Sequence, residues 1–458
     1  MLKRFERRAS AMSPDMSPDG SGMADSQVNG TRTFRVEMLT RVEGEGRFHL
    51  KVKDGEVEDA TLTIFEPPRF FEGFLVGRSL FEVPDITARI CGICPVTYQA
   101  TSARVMETIL GIETSREIRR LRRLMYCAEW IESHALHVFL LHAPDFLGYA
   151  NALEMARDHK NLVEMGLRMK KVGNTLLEVM GGRAIHPVSM RVGGFSRVPS
   201  PRRLEAILPE LEWGLGAAKE TVRITNGLPM PEFEQTYVFV SLDGGDEYPI
   251  ERGDRIAITD RDPVPVDDFE KVFLEEQVER SPALHARLPD GTPYLTGPMA
   301  RLSLFPDKLH PLAQEALEGS GMSLPVRNPY RSIVVRAIEL VQAFADAVDI
   351  VGDYAGADPP YLEAPLRAGE ATAATEAPRG LQYQRHRVDE RGLVLESRIV
   401  PPTSQNQPRI EADLAGLGPE LLAMDHAEAT LRCEQLIRAY DPCISCATHF
   451  LRLEIEKE

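Results

Sequence analysis

Two Cys-x-x-Cys pairs enclose nearly the whole chain: Cys91/Cys94 in RICGICP, residues 89–95, and Cys443/Cys446 in DPCISCATH, residues 441–449. Each such turn aims two sulfurs at one point, so together they can present four thiolates to one tetrahedral or binuclear metal centre. A fold that uses them so must bring its two ends together. Zinc ribbons keep their knuckles about 15–20 residues apart, because a small domain gains stability by closing a short loop around the metal. Here 458 residues at 43% hydrophobic composition supply a core that needs no staple. On spacing alone three readings stand: structural zinc, a thiol redox pair and a reactive metal site. Gly92 and Pro95 flank the first pair with turn residues, and Asp441, Pro442 and His449 surround the second.

The other two of the six cysteines, Cys127 and Cys433, lie in helix-like stretches and read as small buried apolar residues. So few cysteines in a long chain suit a reducing compartment better than a disulfide framework. The formal charge is -16 with no basic run among aromatics, which argues against nucleic acid. RRLRR, residues 119–123, falls inside a helical pattern and reads as a solvated face or partner contact. No apolar run approaches the about 18 residues of a membrane helix. Residues 1–30, with a duplicated MSPD and no apolar signal region, read as a disordered leader.

The order of elements predicts a mainly α fold with minor β, an α+β chain with a long-helix core. From Thr33 to Ile64 two alternating runs flank an Asp-Gly turn and predict a hairpin. Residues 114–142 place Ile118, Leu121, Leu124, Met125, Ala128, Ile131, Ala135 and Val138 at helical spacing, with a Thr/Ser start and a stop before Pro144. Helical patterns also cover 151–180, 201–225, 330–353 and 419–439; strands are expected in 234–260, and mixed short helices and loops in 261–325. Pro359 to Arg379 reads as a connector or extended segment.

RICGICP paired with DPCISCATH resembles the large, catalytic subunit of the [NiFe]-hydrogenases. TRVEGEGRF (40–48), FFEGFLVGR (70–78), HALHVFLLHAPDF (134–146), GGRAIHPVSMRVGG (181–194), EAPRGL (376–381) and IVPPTSQNQ (399–407) match that family in order. The resemblance implies one catalytic domain over 31–449, its ends meeting at a buried nickel–iron centre. Cys91 and Cys443 would be terminal thiolates on nickel, and Cys94 and Cys446 would bridge nickel and iron. The iron would carry cyanide and carbon monoxide, so metal-insertion proteins are implied partners. Cys443 would accept the proton from dihydrogen and Glu43, a buried carboxylate, would take it onward. Arg379 would donate to one cyanide or act as an alternative base, and Thr403 to the other; Pro378 and Asp441 would complete the wall, Asp441 pairing with Arg379.

A second site is implied for Mg2+, held by Glu72, His449 and the carbonyl at Ile399. Taken singly, Glu43 and Glu72 also fit surface carboxylates, and Arg379 an exposed loop arginine. His134, His137 and His142 read as satisfied core histidines, because the resemblance gives them no ligand role. Where many family members carry an aspartate beside Arg379, this chain has Ser133. The tail 450–458 resembles one that a maturation protease removes after the histidine, here between His449 and Phe450.

No cysteine set remains for iron–sulfur clusters, so an iron–sulfur small subunit is expected to carry electrons away. RICGICPVTYQ, APRGLQYQRHRVDERGL and IVPPTSQNQ look most like the soluble, cytoplasmic, bidirectional group coupled to NAD or NADP through flavin and iron–sulfur diaphorase subunits. This chain carries no dinucleotide fingerprint of its own. The alternatives are a non-catalytic hydrogen-sensing subunit and a structural zinc protein; a quinone-binding relative of the same architecture would lack the four cysteines.

Overall fold

The structure is a computed structural model that describes residues 31–54, 56–67 and 69–448. The leader 1–30, His449, the cleavage point and the tail lie outside the described residues. The helix Arg116–Leu136 starts where Ser115 Oγ accepts the amide of Ile118. Its eight spaced apolar positions, extended through Val138, are all buried. It packs on Lys160–Gly181 and on Ser332–Gly352, which also packs on Leu208–Asn226. Ser332–Gly352 is apolar on almost every side and is buried along most of its length, as expected of a helix at the centre of a bundle. Gly173 lets two helices touch: a Cβ there would lie 2.7 Å from the carbonyl oxygen of Ala128.

The expected stop before Pro144 does not occur. The backbone widens into a π-turn over His137–His142 and continues as the helix Ala143–Leu147, ending at Gly148 with φ 77. Pro144 sits in the first turn of that last piece, where its missing N–H costs little. RRLRR also departs from expectation. Arg122 forms a buried two-pronged pair with Glu107, and Arg123 reaches Asp346 and Glu251. Two of the four arginines thus pair internally, while Arg119 and Arg120 stay partly exposed, Arg120 pairing with the exposed Asp353.

The hairpin of Gly46–Lys53 and Glu56–Ile64 forms as expected, joined at its edge by Thr31–Val36 in antiparallel register. Phe239–Asp243, Arg255–Ile258 and Arg261–Pro265 form a second sheet with the short Leu295–Thr296. The segment 359–379, read as a connector or extended segment, contains a strand, Gly369–Ala377, which pairs with Gly380–Val388 and through it Val394–Val400. Two helices had no signal in the periodicity, Pro95–Leu110 and Pro402–Gly416. Each is buried on several sides, so neither shows a polar stripe. In the second, polar side chains bind the fold together: Gln405 donates to the Leu381 carbonyl at 2.6 Å, and Asn406 accepts from the amide of Thr296 at 2.9 Å.

Buried His386 is placed for the neutral form: Nδ1 accepts from the Ser397 hydroxyl and Nε2 donates to Gln384 Oε1, each at 2.9 Å. Burial pulls its pKa down to about 3. Between that value and about 6.5 the unfolded chain binds a proton that the folded chain refuses, so stability rises with pH across this window. We expect the unfolding free energy to fall by about 1.4 kcal/mol per pH unit below 6.5 from this group, read from urea midpoints between pH 7 and 5. His386→Gln should flatten that slope.

Candidate active site

Cys91 follows the short turn Ala88–Ile90, and Cys94 stands directly before the helix Pro95–Leu110. The Cys91 sulfur accepts the amides of Ile93 and Cys94 at 3.3 and 3.4 Å, which closes the turn on itself. Cys94 does not cap the helix with its own side chain. Glu129, from the helix Arg116–Leu136, does so instead, accepting the amides of Val96 and Thr97 at 2.6 and 3.3 Å. Burial pushes its carboxyl well above the usual carboxylate range.

The second pair is docked by the first strands and by the 402–416 helix. Cys443 bridges to Glu43 in parallel register, the Ile444 amide donates to the Glu43 carbonyl at 2.9 Å, and the Cys443 amide donates to Thr403 Oγ1 at 2.9 Å. All four sulfurs are buried and lie within 4.8 Å of one another. Cys91 and Cys443 are 3.4 Å apart, Cys94 and Cys446 3.8 Å, and Cys443 and Cys446 2.7 Å. Hydrogen bonds from Cys443, Cys446 and Cys94 draw the Cys91 thiol well below its ordinary range, whereas burial pushes Cys443 up. Four thiolates this close repel unless a cation sits among them. Soft sulfur in such a set suits first-row transition metals.

Arg379 stands at the tip of the hairpin in which Ala377 pairs with Gly380. Its Nε donates to the Asp441 carbonyl at 2.8 Å, Nη2 to Asp441 Oδ1 at 2.9 Å and Nη1 to Ser133 Oγ at 3.4 Å. Burial works against its charge, but Asp441 and the sulfurs outweigh it and hold the guanidinium protonated. Ser133 thus still reaches the arginine. Behind the tip, Arg301 donates to the Ala377 and Pro378 carbonyls at 2.9 and 3.2 Å. Pro378 is buried at the turn.

Glu43 Oε2 accepts from the Cys443 thiol at 3.2 Å and from the Ser445 amide at 3.0 Å. It is half-buried rather than enclosed, because its loop lies at the edge of the first sheet. Gly44 makes this approach feasible: φ is +88, and a Cβ would lie 2.5 Å from Glu66 Oε1 and 2.6 Å from the Ile444 Cβ. Gly44→Ala should therefore cost about 1–3 kcal/mol of strain and lower metal content per chain, measured by elemental analysis.

Glu72 and Ile399 also come together: the Ile399 amide donates to Glu72 Oε1 at 2.7 Å, and Ile399 packs in the apolar cluster that includes all four cysteines. The third member of that set, His449, is outside the described residues. His134 bonds Glu339 at 3.0 Å and His137 the Arg438 carbonyl at 2.7 Å. His142 departs from expectation, since neither ring nitrogen has a hydrogen-bond partner. Its ring lies tilted against those of His137 and Phe146, centroids 5.1 and 4.7 Å away, and burial keeps it neutral. Cys127 and Cys433 are buried, as expected. Sequence reasoning missed Glu129 and Arg301; their one signal is a charge among residues otherwise apolar.

Four buried thiols at one point, faced by a fixed guanidinium, make a sulfur-donor metal pocket in a mixed α+β fold. Residues 69–166 match the model of a family described as nickel-dependent hydrogenase. The chain is 34% identical over 425 residues to sulfhydrogenase 2 subunit alpha of Pyrococcus furiosus, covering 92% of this chain and 100% of that one. It is 32% identical over 422 residues to sulfhydrogenase 1 subunit alpha of the same organism, covering 91% and 98%. Among solved structures, an NAD+-reducing [NiFe]-hydrogenase in the H2-reduced state superposes with a TM-score of 0.83 at 26% identity, covering 92% of this chain and 100% of that chain. The chain belongs to the nickel-dependent hydrogenases. It is an oxidoreductase that acts on hydrogen, with the fold of the [NiFe]-hydrogenase large subunit.

Proposed function

We propose that this chain is the catalytic subunit of a [NiFe]-hydrogenase that cleaves dihydrogen reversibly into protons and electrons. The observation that carries the reading is the position of Glu43 Oε2, 3.2 Å from one of four converged sulfurs. Cys91, Cys94, Cys443 and Cys446 would together hold the nickel–iron centre, whose iron would bear cyanide and carbon monoxide. The bound metals would supply the Lewis acid that polarises dihydrogen. The protein does the rest: the Cys443 sulfur accepts the proton, and Glu43 takes it from there along the hydrogen bond they already share. Arg379 keeps a positive charge against the pocket, pinned by Asp441 and Ser133, and would donate to one cyanide; held protonated, it is a poor alternative base. Thr403 accepts from the Cys443 amide through its oxygen, so its O–H proton remains available to a second anionic ligand. Pro378 and Asp441 form the wall. Glu72, the Ile399 carbonyl and His449 would hold Mg2+ as a separate site.

The chain has two cysteines beyond the four, and both are buried away from solvent. That supports an iron–sulfur small subunit as electron acceptor, because four ligands are the usual minimum for a cluster. Electrons would pass onward to NAD or NADP through flavin-bearing diaphorase subunits in the cytoplasm; the likeness to an NAD+-reducing [NiFe]-hydrogenase supports the NAD part of this reading. No helix among the described residues is long and apolar enough to cross a membrane. Residues 31–449 would act as one catalytic unit after 1–30. Metal-insertion proteins and a protease cutting between His449 and Phe450 would complete it.

Glu43→Gln tests the proton step. It preserves size and hydrogen bonding but cannot carry the proton, so dye-linked hydrogen uptake should fall at least about 100-fold while nickel and iron contents stay unchanged. Uptake at the parental rate, or zinc in place of nickel and iron on elemental analysis, would sink the reading.

A further inference from the structure

The two cysteine loops touch each other through their sulfurs, and such contacts hold little by themselves. A thiol is a weak donor and acceptor, and ionised sulfurs repel. Another group has to set the distance between loops that come from opposite ends of the sequence. Arg69 reaches both. Its Nη2 donates to the Ile90 carbonyl at 2.8 Å, immediately before Cys91, and to the Ser445 carbonyl, between Cys443 and Cys446. Its backbone amide donates to the Thr448 carbonyl at 2.7 Å. The guanidinium also lies 5.5 Å from the Phe71 ring.

The Ile90 carbonyl ends a single turn, where regular structure leaves carbonyls unused. The Ser445 carbonyl, in the turn that carries Cys446, also accepts from the Thr448 hydroxyl at 3.2 Å. Turn ends of this kind take partners from side chains, and a guanidinium forms stronger hydrogen bonds than a neutral donor. Nearby Glu66 reinforces the same hold, accepting the Ser445 hydroxyl at 3.1 Å and the Glu45 amide at 2.9 Å.

We propose that Arg69 is a positioning residue, a clasp that fastens the two cysteine loops at the separation a four-thiolate metal site requires. The inference rests on the reading that these four sulfurs bind the metal together. Lysine would be a poor replacement, because its ammonium ends one bond short of where Nη2 stands and so would not reach both carbonyls at once.

The test is titration of the full-length, metal-free chain with cobalt(II), whose tetrathiolate complex has its own charge-transfer absorption. Groups that orient metal ligands are worth about 10–100-fold in affinity. Arg69→Met should weaken cobalt binding by that factor, and Arg69→Lys should recover only part of it, while Cys446→Ser should abolish the tetrathiolate spectrum. If Arg69→Met fails to fold by circular dichroism, Arg69→Lys decides alone, and parental affinity in that variant overturns the clasp. Parental affinity in Arg69→Met with loss in Cys446→Ser overturns the clasp and leaves the four-thiol reading standing. A full tetrathiolate spectrum in Cys446→Ser overturns that reading, and the clasp with it.

Discussion

Replacing Arg379 with lysine should lower hydrogen turnover by about 100–1,000-fold, the usual effect of removing one fixed electrostatic donor from an active site. Metal content should stay unchanged. The guanidinium makes three bonds from one plane: to the Asp441 carbonyl, to its carboxylate and to Ser133. An ammonium carries the same charge but cannot hold that plane, so its position against the sulfurs is lost while its sign is kept. The measurement is dye-linked hydrogen uptake alongside nickel and iron analysis. A variant that keeps both metals and parental turnover would show that charge alone suffices and that geometry at Arg379 does not matter.

The second large effect is on stability. Arg301 is fully buried and donates to Glu339 and Glu376 at 2.8 Å, while its guanidinium lies 4.2 Å from the Trp130 ring. His134 and Tyr248 complete the ring of partners around Glu339 at 3.0 and 2.8 Å. Arg301→Met leaves two buried carboxylates without their cation, a change that costs about 3–5 kcal/mol. Burial already pushes the Glu376 carboxyl above its usual range despite Arg301. Without the arginine it should take up a proton more readily still, so the deficit should shrink as pH falls. Urea unfolding at pH 8 and pH 5.5 measures this, and Glu376→Gln in the Arg301→Met background should return part of the loss. An equal deficit at both pH values would contradict the account.

The long central helices were legible because one face of each is apolar at helical spacing, and every spaced position of the 116–136 helix is buried as expected. Pro95–Leu110 and Pro402–Gly416 were not, since a helix surrounded by protein has no polar stripe to give it away. The strand Gly369–Ala377 was legible only as a connector or extended segment for a related reason: alternation fades where both faces meet other elements. The course of the chain past Pro144 depended on a π-turn that no local rule anticipates.

At the site the division is sharper. The four cysteines and their spacing declare a donor set, and motif resemblance attached Glu43, Arg379, Thr403 and Asp441 to it and Glu72 to a separate Mg2+ site. Glu129, Arg301 and Arg69 carry no such mark. Each is a single charged residue whose partners are backbone groups or carboxylates far away in the chain.

The amino-acid order by itself determined the chemistry available: soft sulfur in two tight turns, a proton acceptor, an arginine behind a proline, and enough apolar surface to bury them. Only the folded structure decided that Cys91 and Cys443 stand 3.4 Å apart and that Arg69 ties their loops. Local patterns report the residues within a turn or two. Which distant groups meet depends on how whole helices and sheets pack, because those contacts form only once the core has overcome the entropy of closing so long a chain.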